Sequence, residues 1–591
     1  MAMDLKHSWR IWQIKFLRWL YKLNAPRDFY LLFLASLVGL FTGLGAYLLN
    51  LIVEFVRFLL FEQTGTVFFQ ESIANYLRIL YPAIGGLTVG LLTYYFSPEV
   101  KGHGIPGVMD AVANKGGLIR KRVAFLTSIN SGTTIGSGGS AGKEGPIVQI
   151  GAALGSGIGQ IFRVSQRRLK ILVGCGSAAG LAAVFNAPIA GVVFAVEVIL
   201  AEFSLTVFTP IVISSVIATA ISHSLIGSSP LFAIPAYSLK SHAEFPLYLL
   251  MGLVGGVLSV FFIRTLYRIE DFFEDKLSIA EYLKPALGGL LTGIIAFGFP
   301  ELYGFDDSAT HTALVGRTEI HILAMLVIAK ILATSFTLGS GGTGGLFTPS
   351  LFIGATFGAL YGTVIGKFFP GLTAPPGAYA LVGMGVIVSG TIHAPLSALL
   401  IIFEITGDYN IILPLMLGTV TSTLIARWIE EESIYTMKVS LFSNRVSGGR
   451  NIQILERTHV SSLIKKEAPT VREDTGFGEI LNGLLSSEHN TFPVLNRESR
   501  LTGIITLRDI RPIIFDSDLA PLLIAADVMS ENVFFLEPTE SLADALRKME
   551  IDDYELLPVV ESADSMKFLG IVTRDKLMRY YTKQNLLLTE A

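Results

Sequence analysis

The sequence predicts a polytopic α-helical membrane protein made of two homologous halves and followed by a soluble α/β tail. Three observations predict it: 51% hydrophobic residues beside only 16% charged ones, apolar segments that follow one another from Phe29 to about Trp428, and motifs that return about 203 residues later. Soluble globular chains carry about 25% charged residues, and with a mean hydropathy of +0.57 a fully soluble protein is excluded. Glycine fills 59 positions, which suits backbone that approaches backbone or ligand closely. The net charge of −3 averages over two unlike parts and gives no reason to invoke nucleic acid. Cys175 is the single cysteine, so internal disulfides and multi-cysteine metal sites are excluded.

Residues 1–28 form a short arm in which Lys6, Arg10, Lys15, Arg18, Lys22 and Arg27 outweigh Asp4 and Asp28, and positive-inside bias places it in the cytoplasm. The apolar stretch Phe29 to Leu60 is too long for a signal peptide and is followed by further spans, so nothing is cleaved. At about 20 residues per span, the membrane part has room for well over a dozen helices. It divides into a first repeat, 29–230, and a second, 231–440. Chemistry changes at Glu430-Glu431-Glu432, and a linker over 441–457 leads into a charged tail with short apolar strands between helical stretches.

Four ordered matches carry the duplication. Pro82-Ala83-Ile84-Gly85-Gly86-Leu87 returns as Pro285-Ala286-Leu287-Gly288-Gly289-Leu290, and Pro98-Glu99 with Gly102 returns as Pro300-Glu301 with Gly304. GSGGSAGKEGP at 136–146 returns as GSGGTGGLFTP at 339–349. Ala187-Pro188, with Glu197 nine residues after the proline, returns as Ala394-Pro395 with Glu404. Homologous halves with Gly/Pro-interrupted apolar segments at matched positions point to a transport site between the repeats. The residues alone leave parallel and inverted arrangements open; an inverted pair returns the chain to the cytoplasmic side, which makes the tail cytoplasmic.

Each glycine loop breaks an apolar run just before a helix start. Free N–H groups there, helped by the helix dipole, form an anion site that needs no cationic side chain; glycine-rich helix packing is the competing reading. A phosphate loop is excluded, because Ser137 stands where its first glycine belongs and Lys143 is followed by Glu144 rather than Ser or Thr. Glu144 competes with a soluble anion for the same amides. Ionised it occupies the anion position, and protonated it swings away, which ties passage to pH; the alternative is a solvated helix-start acid that stabilises the dipole. Glu197 and Glu404, paired in the repeat, read as structural.

With these residues in hand, the constellation over 28–440 resembles the CLC family of chloride channels and anion/proton exchangers. The three anion-site stretches of that family read here as Gly102-His103-Gly104-Ile105-Pro106, Gly142-Lys143-Glu144-Gly145-Pro146 and Gly345-Leu346-Phe347-Thr348-Pro349, with a late tyrosine at Tyr435. The resemblance implies a central anion on the Leu346 and Phe347 amides and the Tyr435 hydroxyl, and an outer anion on the amides of Lys143, Glu144 and Gly145, with Glu144 as the gating residue. It also implies two inverted repeats, a homodimer with a pore in each subunit, chloride as the transported ligand and no required cofactor.

Two departures matter. His103 stands where the family usually has serine, or proline in nitrate-preferring members; its imidazole either donates to the anion or turns away while backbone amides bind. Val198 stands where many exchangers of the family carry their internal proton glutamate. Valine carries no proton, which tilts the reading toward a passive channel, with a chloride/proton antiporter as the alternative.

The tail is itself duplicated: Phe492-Pro493-Val494-Leu495 before Gly503-Ile504-Ile505-Thr506 is echoed by Leu557-Pro558-Val559-Val560 before Gly570-Ile571-Val572-Thr573. This resembles a tandem pair of cystathionine-β-synthase (CBS) domains, over 458–516 and 525–583. Such pairs are similar to adenine-nucleotide sensors, whose ribose is held by a Thr-x-x-Asp turn. Thr506 and Asp509 supply it in the first copy, whereas Lys576 replaces the acid in the second. A purely structural pair is the alternative.

A CBS-tailed cation transporter would need several inward carboxylates or rings of carbonyls, and an enzyme is not expected without His-Glu-x-x-His or Gly-x-Ser-x-Gly. The expected setting is integral in a lipid bilayer with both termini cytoplasmic, and the short loops and lack of a transit peptide point to a bacterial inner membrane.

Overall fold

A computed structural model of the chain describes residues 29–62, 76–96, 100–227, 239–304, 308–315, 319–440, 458–465, 468–487, 491–510, 522–531, 533–551, 554–577 and 580. The basic arm 1–28, the linker 441–457 and the Pro98-Glu99 match lie outside the described residues. The chain forms two units, Met1–Val439 and Ser440–Ala591.

Seven helices of the first unit, among the described residues, are long and apolar enough to cross a membrane. The first, Phe29–Glu62, runs 34 residues. At about 1.5 Å per residue it exceeds a hydrocarbon core of about 30 Å, and tilt accommodates the difference. Other helices are too short to span. Pro188–Phe194 and Pro395–Thr406 each begin at a proline, whose missing N–H costs nothing in a first turn. In lipid their remaining amide ends need partners from protein.

Those partners come from the other repeat. Glu404 accepts from the Ile189 and Ala190 amides at 3.0 and 2.7 Å, while Glu197 accepts from those of Leu396 and Ser397 at 3.3 and 2.8 Å. The same exchange recurs nearer the centre, where Ser140 N donates to Thr337 Oγ1 at 3.1 Å and Thr343 N donates to Thr134 Oγ1 at 3.3 Å. The repeated Pro-x-x-Gly-Gly stretch behaves likewise: a Cβ on Gly86 would strike the Pro285 carbonyl, and one on Gly289 the Pro82 carbonyl. When residue i meets j′ and i′ meets j, the two halves are related by a two-fold. Gly142 and Gly345 pair antiparallel immediately before the helices Glu144–Ile161 and Phe347–Phe368, so the two chains leave this meeting point in opposite directions. The membrane unit is therefore two inverted repeats.

The tail has two copies of one α/β motif. In the first, β1 (Val471–Arg472) pairs parallel with β2 (Thr491–Leu495), which pairs antiparallel with β3 (Leu501–Thr506). In the second, β4 (Leu556–Val560) pairs antiparallel with β5 (Phe568–Thr573). Helices Phe477–Ser486 and Leu542–Ile551 bury Ile480 and Met549 against these sheets. Here too the copies trade segments. Lys465 and Ile571 exchange both backbone hydrogen bonds, at 2.9 and 3.1 Å, and so do Ser530 and Ile504, at 2.9 and 3.1 Å.

Candidate functional site

Three glycine-rich loops meet where the repeats face one another. Gly142 N donates to the Gly345 carbonyl at 2.9 Å and Gly345 N donates to the Gly142 carbonyl at 2.7 Å. The first motif joins them through Gly344 N, which donates to the Gly102 carbonyl at 3.3 Å, and through Thr343 Oγ1, which donates to the Val100 carbonyl at 3.2 Å. This short non-helical backbone is tolerated inside an apolar protein because its polar groups satisfy one another and line a buried site.

Two helices start at this junction. Glu144 is the first residue of one and is fully buried, at 0% exposure. Its Oε1 accepts from the Phe347 amide at 2.6 Å and the Thr348 amide at 2.9 Å, and its Oε2 accepts from Thr348 Oγ1 at 2.8 Å. The carboxylate thus caps the helix Phe347–Phe368 of the opposite repeat, where orphan amides and the dipole reward negative charge. Two absent side chains make room for it. A Cβ on Gly142 would overlap both Glu144 oxygens, and one on Gly345 would overlap Oε1.

The sequence assigned the Leu346 and Phe347 amides to a central anion; the Glu144 carboxylate takes the Phe347 amide together with the amide and hydroxyl of Thr348. Leu346 instead precedes the helix, its carbonyl accepting from Ser350 N at 3.1 Å. Lys143, Glu144 and Gly145 form the start of the other helix, whose first ladder bond runs from Ile147 N to the Lys143 carbonyl at 3.0 Å. The Lys143 ammonium donates to Asn50 Oδ1 at 2.6 Å.

His103 and Tyr435 come together beside this junction, their ring centroids 6.4 Å apart. Tyr267 closes the cluster, 6.5 Å from His103 and donating through its hydroxyl to the Ile434 carbonyl at 2.6 Å. The segment that carries Tyr435 is held by Ile434 N on the Thr391 carbonyl, at 3.0 Å, and by the ion pair of Lys438 with Glu270. His103 Nε2 and the Tyr435 hydroxyl are buried, at residue exposures of 4% and 0%, and neither has a hydrogen-bond partner among the described residues. Buried polar atoms rarely stay unpaired in water-free surroundings, so two at one place call for a partner from outside the protein.

Val198 lies elsewhere, in the π-helical turn Ala195–Leu200, and lines a cavity of about 280 Å³ together with Arg167, Lys170 and Glu202. In the tail, Asp509 Oδ2 accepts from the amide and hydroxyl of Thr506, both at 2.7 Å, and its Oδ1 accepts from Ser530 Oγ at 3.2 Å. One oxygen is used within the turn and the other by Ser530. In the second copy Thr573 Oγ1 accepts from the Lys576 amide at 3.3 Å, so the turn forms without the acid. Among the described residues no group of three or more His, Cys, Asp or Glu side chains is placed to hold a metal.

A family profile described as voltage gated chloride channel matches residues 85–427, and the CBS domain profile matches 460–516 and 525–583. Chloride channel protein CLC-f of Arabidopsis thaliana is 31% identical over 589 residues, 94% of this chain and 70% of its own. The H(+)/Cl(−) exchange transporter ClcA of Vibrio campbellii is 32% identical over 427 residues, 70% of this chain and 90% of its own. The crystal structure of a slow cyanobacterial Cl−/H+ antiporter superposes with a TM-score of 0.64 at 28% identity, covering 70% of this chain and 97% of that one. Inverted repeats that exchange helix caps, three glycine loops joined around a buried carboxylate and these matches agree: the chain belongs to the CLC family of anion channels and exchangers, and carries a C-terminal pair of CBS domains.

Proposed function

We propose that the protein passes chloride across the bilayer through a pore in each subunit of a homodimer, and that Glu144 is the gate. The observation that carries the reading is the Glu144 carboxylate on the Phe347 and Thr348 amides. Donors that hold a carboxylate at a dry helix start hold a free anion once that carboxylate leaves. Protonation removes the charge that these donors reward, so Glu144 withdraws more readily at low pH and an anion takes its place. The Leu346 and Phe347 amides and the Tyr435 hydroxyl then serve a central anion with His103 beside it, and the amides of Lys143, Glu144 and Gly145 serve an outer position.

A passive channel is favoured over a chloride/proton antiporter because Val198 offers no proton carrier. The antiporter is the second reading, supported by a relative named as an exchange transporter and a similar structure described as an antiporter. The CBS pair acts as a cytoplasmic support, with Thr506 and Asp509 as its single place for an adenine nucleotide. The protein is integral to a bacterial inner membrane, with both termini in the cytoplasm.

The test is efflux from liposomes containing the purified full chain, recording chloride and external pH together for the wild type and Glu144→Ala. Chloride flux without proton movement supports the channel. Protons driven uphill by a chloride gradient, and lost in Glu144→Ala, support the antiporter. No anion flux in either protein rejects both.

A further inference from the structure

The Tyr435 side chain has nothing at its polar end to fix it. Its hydroxyl is buried without a partner among the described residues, so where that hydroxyl stands is decided by the backbone that carries the ring and by the packing around it. That backbone is a short turn. Ser433 Oγ accepts from the Tyr435 and Thr436 amides at 3.3 and 3.1 Å, and the Ser433 carbonyl accepts from Met437 N at 3.0 Å. A turn this short is not stable alone, and contacts outside it must hold it in place.

Two of those contacts come from one helix face. Tyr267 and Glu270 stand three residues apart near the end of the helix Phe245–Asp271, a spacing that makes them neighbours on its surface. The buried Tyr267 hydroxyl donates to the carbonyl of Ile434, the residue before Tyr435, at 2.6 Å, and the Glu270 carboxylate pairs with Lys438, three residues after it. On its other side Ile434 is held through its amide, by the Thr391 carbonyl at 3.0 Å. The same last turn of helix also touches the second glycine motif: a Cβ on Gly339, where GSGGTGGLFTP begins, would meet Glu270 N at 3.1 Å. Tyr435 and the loop that leads to Phe347 are thus set against one common piece of helix.

We infer that Tyr267 and Glu270 are positioning residues for anion binding, a clamp on either side of Tyr435 that sets where its hydroxyl stands. The inference rests on the reading of Tyr435 as a donor to the central anion. Both residues act through Tyr435 and need no contact with the anion themselves. Without the Tyr267 hydroxyl the Ile434 carbonyl loses its donor and the turn is held at fewer points. The Tyr435 hydroxyl shifts with the turn, and a hydrogen bond weakens steeply as its distance and angle leave their optimum. What changes is the affinity for the anion rather than the number of working molecules.

The experiment records chloride efflux from liposomes containing the full chain over a range of chloride concentrations, for the wild type, Tyr267→Phe, Tyr435→Phe and the double variant. Tyr435→Phe should raise the half-saturating chloride concentration by about fivefold, the effect of one donor worth about 1 kcal/mol. Tyr267→Phe should raise it in the same direction, by at least about twofold, and a variant that was merely less stable would lower maximal efflux and leave that concentration alone. In the double variant the value should stay where Tyr435→Phe puts it, because no hydroxyl is left to position. Glu270→Asp keeps the charge and shortens the reach to Lys438 by one methylene; it should act as Tyr267→Phe does, and with its own double variant it decides the matter if Tyr267→Phe does not fold. A half-saturating concentration unchanged in Tyr267→Phe or in Glu270→Asp, or effects that add to that of Tyr435→Phe, overturn the clamp and leave the anion path standing. An unchanged value in Tyr435→Phe overturns the place of that hydroxyl in the path, and the clamp with it.

Discussion

Glu144 Oε1 lies 2.6 Å from the Phe347 amide, so the first helical residue of one repeat caps the first helical residue of its counterpart, 203 positions on. Because both helices point their positive ends at this spot, one carboxylate serves where two helix starts converge. In Glu144→Ala that carboxylate is gone and the amides are free. Each charge-assisted hydrogen bond is worth about 1.5–3 kcal/mol, so the lost closure should raise chloride efflux at neutral pH by about tenfold or more. The rise of wild-type efflux on acidification should disappear with it. An alanine variant whose efflux still climbs as pH falls would place the gate elsewhere.

The Tyr435 hydroxyl is buried without a partner among the described residues. Leaving such a group unpaired costs about 1–3 kcal/mol. Tyr435→Phe should therefore raise, or at least not lower, the thermal midpoint in chloride-free buffer. Bound anion stabilises the folded state by mass action, and the variant should show a smaller chloride-dependent rise in midpoint than the wild type. An equal rise in both proteins would remove this hydroxyl from the anion site.

Glu404 and Glu197 each cap a short helix of the opposite repeat. Truncating either leaves amides unpaired in apolar surroundings, at a cost of about 2 kcal/mol or more. Glu197→Ala should be the more damaging, because Ser397 Oγ also donates to Glu197 Oε2 at 2.6 Å. Thermal denaturation of the two variants measures the difference, and the folded fraction of Glu404→Ala should keep its response to pH. A pH response altered as strongly as by Glu144→Ala would make Glu404 part of the gate.

Ser541 donates to Asp544 Oδ2 at 2.6 Å and accepts from the Asp544 amide at 3.1 Å, which holds the start of the helix Leu542–Ile551. The Ser541 hydroxyl, and then the nearby Arg547, keep the Asp544 carboxyl below the usual carboxylate range. A lowered carboxyl contributes stability that is complete above its unfolded value of about 3.9 and is lost as pH falls through the folded value. Ser541→Ala should then weaken this helix by about 1 kcal/mol at neutral pH, and by less near pH 3. Hydrogen exchange at residues 542–551 of the full chain reads this; equal protection of wild type and variant at neutral pH would discount the cap.

The repeat was legible because its matches are local strings, and the glycine loops because helix starts have a composition of their own. The partners of Glu144 were not fully legible. Thr348 is an ordinary residue in its own segment and becomes a ligand only when the inverted two-fold brings it against a carboxylate 204 positions away. The exchange of caps by Glu197 and Glu404 is hidden for the same reason: the sequence shows that the two acids correspond, and folding shows that each works for the other half. His103 stood out as a departure from the family, while its neighbour Tyr267 carries no local signal and is found through packing.

Val198 decides the last prediction. It faces a cavity with Arg167 and Lys170, where a new carboxylate would meet cations that favour its charged form, and with Glu202, which opposes it. Val198 borders a cavity of about 280 Å³, into which a longer side chain can extend. If the wild type is a channel for want of a proton carrier, it should move no protons against a chloride gradient, and Val198→Glu is the change that supplies one. Parallel records of chloride and external pH should then show proton movement in Val198→Glu alone, and its loss in the double variant with Glu144→Ala, since the path needs both ends. Uphill proton movement already present in the wild type would overturn the channel reading and require a proton route that bypasses residue 198.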